Sequence, residues 1–268
     1  MDKDYFIEKL EQRAVDLDKS RDFWNHRARE FYKFSRESQK DSTIDFLNEF
    51  MDLKDKTVLD IGFGAGRYLK LLSNEGAKVS GIELSDEMVN YAKTHCEESG
   101  IDTREMELYN MPWEEVDLDK LNWRNKFDLV FVSKNPALNS YESIKKMISA
   151  SKKGVFFSTH MIMEEDVLRE LYREIHGDEY KTKKDSLWYI FNILYLDGYY
   201  PNVKIEDKSS KMELSTEDVY YRYAHRLFPD GASKEDENKL KELIYKYEVD
   251  GKVHINMDRK SALIYFEK

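Results

Sequence analysis

The sequence predicts an α/β fold built on a doubly wound, mostly parallel sheet, with helices added at the N-terminus and inserted in the C-terminal half. Three observations predict it. Short apolar segments alternate with amphipathic ones between residues 56 and 160, the rhythm of parallel strands joined by crossover helices. The segment 127–133 is apolar throughout after Asp128, as a strand buried on both faces must be. A glycine-rich turn holding Gly62, Gly64 and Gly66 follows the first strand directly.

Each element follows from its pattern. Phe6, Ile7, Leu10, Ala14 and Leu17 recur at helical spacing over 4–19, and two further helices cover 21–34 and 41–51. Strand 56–61 enters the glycine turn, helix 68–74 leaves it, and strand 77–83 follows. Ser85 caps the next helix, with Asp86 and Glu87 in its first turn, where acids favour the helix dipole. That helix stops before Gly100. Strands at 103–108, 127–133 and 154–159, with a helix at 141–149 between the last two, complete the core. Beyond His160 the rhythm loosens. Helices are predicted at 163–176, 185–197, 216–227 and 233–248, and strands at 202–206, 252–256 and 262–267. The expected organisation is one structural domain: a helical cap at 1–52, a ligand-binding core at 53–160, and a C-terminal half, 161–268, that completes the sheet and covers its ligand edge.

Composition narrows the function. A chain of 268 residues with 41% hydrophobic residues can bury a sizeable core. A net charge of −10 disfavours a nucleic-acid partner, which needs a basic footprint. The one short basic cluster, Lys181, Lys183 and Lys184, reads as a solvated loop. The single cysteine, Cys96, excludes an intramolecular disulfide and reads as an ordinary thiol, and the six histidines show no metal-ligand spacing. Residues 1–11 lack the apolar stretch of a signal peptide, and no apolar run approaches the ~20 residues that span a bilayer. The expectation is a cytoplasmic protein without a membrane partner.

The glycine turn carries the chemistry. Residues 58–68 read V-L-D-I-G-F-G-A-G-R-Y. A dinucleotide fingerprint would place its third glycine at position 67, which is Arg67 here. Asp60, before the turn, suits an ammonium group better than a pyrophosphate. Glu83 closes the second strand, about twenty residues on, where an acid can grip ribose hydroxyls. The competing role for Glu83 is to cap the following helix.

With these residues on the page, D-I-G-F-G-A-G at 60–66 followed by G-I-E-L-S at 81–85 resembles the first two motifs of class I S-adenosylmethionine-dependent methyltransferases. E-L-Y-N-M-P-W at 107–113 is similar to the family's segment after strand three, although the family more often has Asp where Glu107 stands, and F-D-L-V-F-V-S at 127–133 resembles motif IV. F-W-N-H-R-A at 23–28 resembles the W-x-x-R-A helix of many small-molecule members. The resemblance covers about 20–160. It implies a seven-stranded Rossmann-like methyltransferase fold, with S-adenosylmethionine as cofactor and S-adenosylhomocysteine as product. The residues it implies for the cofactor are Trp24, Arg27 near the carboxylate, Asp60, Gly62, Gly64, Gly66, Glu83, Leu84 and Ser133. It puts Glu107 at the adenine amino group and the Leu108 amide at the ring.

The segment S-K-N-P-A-L at 133–138 stands where amino-methylating relatives carry N-P-P and an aromatic. Ala137 and Leu138 depart from that pattern, which weakens an N-methylation reading on nucleic acid or protein. Asn135 and Lys134 are the candidate substrate residues. His160, next to strand five, is a candidate general base, weighed against a hydrogen-bonded structural histidine. Sulfonium methyl transfer is an in-line displacement that needs alignment before it needs a base. The predicted function is S-adenosylmethionine-dependent methyl transfer to a small-molecule acceptor. The alternatives are an RNA or protein methyltransferase, which needs a basic or extended groove beside 133–138, and a non-catalytic S-adenosylmethionine-binding protein.

Overall fold

A computed structural model describes residues 2–11, 16–37, 41–181, 185–229 and 231–268. Ala14, Lys183 and Lys184, named above, lie outside the described residues. Three helices come first, α1 (Lys3–Leu10), α2 (Leu17–Glu37) and α3 (Ser42–Asn48). The alternating core follows as β1 (Thr57–Ile61), α4 (Arg67–Asn74), β2 (Lys78–Glu83), α5 (Asp86–Glu98), β3 (Leu108–Asn110), β4 (Phe127–Ser133), α6 (Tyr141–Ala150) and β5 (Ser151–Glu165). The remainder is α7 (Asp166–His176), α8 (Ser186–Leu196), β6 (Asn202–Leu214), α9 (Thr216–Leu227), α10 (Lys234–Tyr245), β7 (Glu248–Val249) and β8 (Lys252–Glu267).

The strands form a mixed, mostly parallel sheet in the order β3-β2-β1-β4-β5-β8-β6, with β7 paired to β8 off this path. The β1–β2, β1–β4, β2–β3 and β4–β5 pairs are parallel. Reversal of strand order between β1 and β4 creates the crevice at the carboxyl ends where such sheets take ligands.

Four strands differ from expectation, and one of them, β6, runs from Asn202 to Leu214 where a strand at 202–206 was expected. The third begins at Leu108, because a 3-10 turn capped by Asp102 occupies 103–105. The fifth runs on to Glu165, so the predicted start of a helix at 163 is strand, and α7 begins at Asp166. The two predicted terminal strands are one, β8. Its first half alternates buried Val253, Ile255 and Met257 with exposed His254, Asn256 and Asp258, so polar residues occupy the exposed face of one continuous strand.

The chain divides into two compact units. The first comprises 1–159, 186–204 and 262–268. Its core joins Phe46 and Leu47 of α3, Val58 of β1, Leu69 and Leu72 of α4, and Phe131 of β4, with Phe156 stacked on Phe131 at 4.7 Å between ring centres. Cys96 is buried in this same core, and desolvation pushes its thiol up to about 11. The second unit comprises 160–185 and 205–261. Its own core packs Leu168 and Leu171 of α7, Tyr223 of α9 and Leu240 of α10 with Val253 and Ile255. There Glu165 is buried and accepts from Arg222 Nε at 2.8 Å, Arg226 Nη1 at 2.7 Å and Tyr223 Oη at 2.7 Å.

Candidate cofactor site at the carboxyl edge of the sheet

The glycine turn is fixed by its backbone. Gly62, Gly64 and Gly66 all have left-handed φ, at 74°, 54° and 83°. The Gly62 amide donates to the Ile82 carbonyl at 2.8 Å, which ties the turn to β2. The Gly66 amide donates back to Phe63 at 3.1 Å and closes the turn. A Cβ at Gly66 would meet the Ala92 Cα of α5 at 2.9 Å, and one at Gly62 would overlap the Asn135 side chain. Both positions therefore need glycine on two counts, conformation and close approach. A Cβ at Gly64 would meet nothing within 4 Å, so this residue needs glycine for its φ alone.

Two buried carboxylates stand at the ends of adjacent strands. Asp60 is 1% exposed, and its Oδ2 has no hydrogen-bond partner among the described residues. Burial and then the neighbouring Glu83 hold its carboxyl well above the usual range. Glu83 is 7% exposed. Its Oε2 accepts from the Gly64 amide and its Oε1 from the Ser85 amide, both at 2.9 Å. Burial raises Glu83, and these amides oppose the rise. Of the two roles weighed for Glu83, the bond from the Ser85 amide shows the second, since it braces the start of α5.

The helix α2 lies over this turn. Trp24 packs with Phe31 and Tyr32 against Ala28, Ala65 and Met88. Glu30 holds the Arg27 guanidinium through two hydrogen bonds, at 3.0 and 2.9 Å, and the Trp24 and Phe31 rings flank it. The contacts that fasten the helix come from residues the motif did not indicate. Asn25 Oδ1 accepts from Ser85 Oγ at 2.6 Å and from the Glu87 amide at 3.3 Å, and Arg21 Nε donates to the Leu84 carbonyl at 3.4 Å.

Glu107 and Leu108 stand elsewhere than the resemblance implied. The β2–β3 register sets Gly81 opposite Leu108 and Glu83 opposite Asn110, so the residue at the carboxyl edge is Asn110. Glu107 lies three residues earlier, about 10 Å back along the strand, exposed and paired with Lys126 at 2.6 Å just before β4. Asn110 Nδ2 donates to the Glu83 and Leu84 carbonyls at 3.0 and 3.1 Å, and the Met111 amide to Glu83 at 3.0 Å. The signal that could have found Asn110 was strand pairing, which is non-local.

At the end of β4, Ser133 Oγ lies 3.2 Å from Ser158 Oγ. Lys134 is exposed with φ 53°, a strained conformation for a residue with a Cβ, and its amide donates to Ser158 at 3.0 Å. Asn135 lies on Gly62 and accepts from the Ala137 amide at 2.8 Å. Behind Ser133, half-buried Tyr68 has its hydroxyl 3.2 Å from both Asp41 Oδ2 and Thr43 Oγ1, and desolvation pushes the phenol up to about 12. Asp41 also pairs with Arg67, which accounts for the arginine that breaks the dinucleotide pattern.

His160 does not follow the end of a strand. It is within β5, in the second unit, with Nδ1 3.0 Å from Ser261 Oγ. Among the described residues no His, Cys, Asp and Glu cluster could hold a metal ion, and no helix is long and apolar enough to cross a membrane.

Comparison with known proteins agrees with this geometry. Residues 52–222 match the methyltransferase domain family. Over 58 residues the chain is 40% identical to the ubiquinone biosynthesis O-methyltransferase of Nitrosomonas europaea, covering 21% of this chain and 25% of that protein. The enzyme of the same name from Hydrogenovibrio crunogenus is 35% identical over 52 residues, 19% of this chain and 22% of the other. The matches thus span about a quarter or less of those relatives' length. In fold, the chain resembles the magnesium protoporphyrin IX methyltransferase of Synechocystis PCC 6803, crystallised with S-adenosylhomocysteine, at a TM-score of 0.51 and 17% identity over 73% of this chain and 94% of that one. A Bacillus halodurans C-125 protein described as a methyltransferase gives 0.50 and 17% over 84% and 98%. The family match covers well over half of the sequence and contains the glycine turn, Asp60, Glu83 and the β4 edge, and the chain belongs to the methyltransferase domain family.

Proposed function

We propose that this protein transfers a methyl group from S-adenosylmethionine to a small-molecule acceptor. The observation that carries the reading is the pair of buried carboxylates beside the glycine turn, Asp60 with one oxygen unpartnered. A buried carboxylate without a cation or a full set of donors is costly, so this arrangement fits a ligand that brings an ammonium and hydroxyl groups. S-adenosylmethionine has both, and it has no phosphate to oppose two acids.

The sulfonium supplies an already activated methyl group for in-line displacement. The protein's work is then to hold the donor, orient the acceptor and exclude water. Asp60 would take the ammonium, Arg27 the carboxylate, and Glu83 the ribose hydroxyls. Asn110, at the edge where Glu107 was expected, would meet the adenine. Ser133 and the loop holding Lys134 and Asn135 would flank the reacting methyl and contact the acceptor. No proton transfer is assigned to His160.

A small acceptor is favoured by the acidic chain, with a net charge of −10, and by the relatives' names, which specify O-methylation. Calorimetry with S-adenosylmethionine and S-adenosylhomocysteine tests the cofactor. Saturable micromolar binding is expected, and no heat and no thermal stabilisation with either form would sink the reading. Release of S-adenosylhomocysteine with a panel of phenols, carboxylic acids and amines then tests the acceptor. Turnover only with RNA or protein would overturn the small-molecule part.

A further inference from the structure

One buried titratable group beside the glycine turn has no role in the scheme above. His95 lies in the last turn of α5 and is 1% exposed. Its Nδ1 is 3.2 Å from the Ala65 carbonyl, in the middle of the turn. Its Nε2 is buried with no hydrogen-bond partner among the described residues. A carbonyl only accepts, so Nδ1 must carry a proton, and in the neutral ring Nε2 is then the bare nitrogen. The Ala65–Gly66 peptide is thereby held from both sides. Its N–H donates to Phe63 at 3.1 Å, and its C=O accepts from His95. Close packing of Gly66 on Ala92, one helical turn before His95, seats the same peptide on α5.

We propose that His95 is a positioning residue for cofactor binding: as the neutral Nδ1–H tautomer it locks the Ala65–Gly66 peptide and so presets the turn that receives S-adenosylmethionine. This inference rests on the cofactor reading above. Without the imidazole donor the Ala65 carbonyl would be buried without a partner, and Gly66, free of a Cβ, could let the peptide rotate. Binding would then have to order a turn that the wild-type chain presents ready made.

The surroundings favour the neutral ring. Tyr32 of α2 meets the imidazole edge-on at 6.3 Å. The charged groups that act on it are Lys70 of α4, Arg36 of α2 and Glu98 of α5, and burial is the largest influence, holding its titration below the ordinary histidine range.

Two measurements test the proposal. Long-range proton–nitrogen NMR on the unliganded, full-length chain should show His95 with a protonated-type shift at Nδ1 and a bare-type shift at Nε2 across neutral pH. The opposite tautomer, or an imidazolium at neutral pH, would overturn the proposal. Calorimetry with S-adenosylhomocysteine should then compare two variants, each checked by circular dichroism. His95→Phe keeps the ring's bulk and loses the donor, and it should weaken binding about fivefold or more, the scale of one lost hydrogen bond. His95→Asn keeps a donor near the Nδ1 position and should stay within about twofold of wild type. A packing role predicts the reverse order, because Phe fills the site and Asn does not. Equal binding by the Phe variant, or an Asn variant as weak as Phe, would overturn the proposal. Should the Phe variant fail to fold, the tautomer and the Asn variant still decide. Failure of the wild type itself to bind S-adenosylhomocysteine would instead strike the cofactor reading, and the tautomer would still be read independently.

Discussion

Asp60 and Glu165 are both buried carboxylates, and their surroundings push them in opposite directions. Asp60 forms no ion pair among the described residues, and its folded-state pKa lies well above the ordinary value. Such a group favours folding when protonated, and that advantage is lost as pH rises through its unfolded value towards its folded one. Asp60→Asn should therefore raise the melting temperature of the unliganded protein at pH 7. The same change removes the charge offered to the donor's ammonium and should weaken S-adenosylmethionine binding about tenfold or more, which calorimetry would measure; unchanged affinity would remove Asp60 from the site. Glu165 has two arginines and is held down to about 2. Its contribution is fully present above the unfolded carboxylate value of 4.5 and disappears as pH falls towards 2. Glu165→Ala would leave Arg222 and Arg226 facing each other across a lost carboxylate, at a cost of about 3–5 kcal/mol in denaturant unfolding. Asp60 and Glu83 were readable from sequence because strand ends mark their positions. Glu165 was not, since its partners lie 57 to 61 residues away. Motif spacing pointed to Glu107, whereas strand register places Asn110 opposite Glu83 at the carboxyl edge.

Among the elements, α2 shows how a motif can indicate a helix and miss its fastening. Trp24 and Arg27 marked it as the cover of the glycine turn. The bonds that secure it include those of Asn25 to Ser85 and the Glu87 amide, of Arg21 to the Leu84 carbonyl, and of the Tyr32 hydroxyl to Glu98. Asn25→Ala should speed amide exchange in the first half of α2 and leave β1 unchanged, as followed by hydrogen exchange with mass spectrometry. Ser85 is also the N-cap of α5, with its side chain accepting from Met88, so Ser85→Ala should cost about 1 kcal/mol. Most helices lie within a few residues of their predicted bounds, because caps and apolar periodicity are local signals; the helix expected over 4–19 is the exception, since α1 ends at Leu10 and Leu17 opens α2. Strand lengths were less readable. Two strands were expected at 252–256 and 262–267, yet Asp258 and Lys260 point to the exposed face and the ladder continues through them as β8. Pairing partners supply that information, and they lie far away in sequence.

For the whole molecule, the acidic balance sets the expected partners. A chain of net charge −10 should show no retention of single- or double-stranded RNA in filter binding at physiological salt; salt-dependent retention would revive a nucleic-acid substrate. The alternating core was readable as a class of fold because crossover connections impose a rhythm on sequence. Division into two units was not, because β5, β6 and β8 each contribute residues to both, and nothing in a continuous strand marks where one core ends and another begins. The single cysteine offers a way to watch the cofactor half directly. Cys96 is sealed in the core that α5 shares with α4, one residue beyond His95, and its thiol ionises only near 11. Alkylating reagents can reach it only when that region opens, so its native-state trapping rate is a clock for local opening. A ligand that clasps the glycine turn should slow the clock in proportion to its affinity, giving a label-free assay for donor analogues that needs no knowledge of the methyl acceptor.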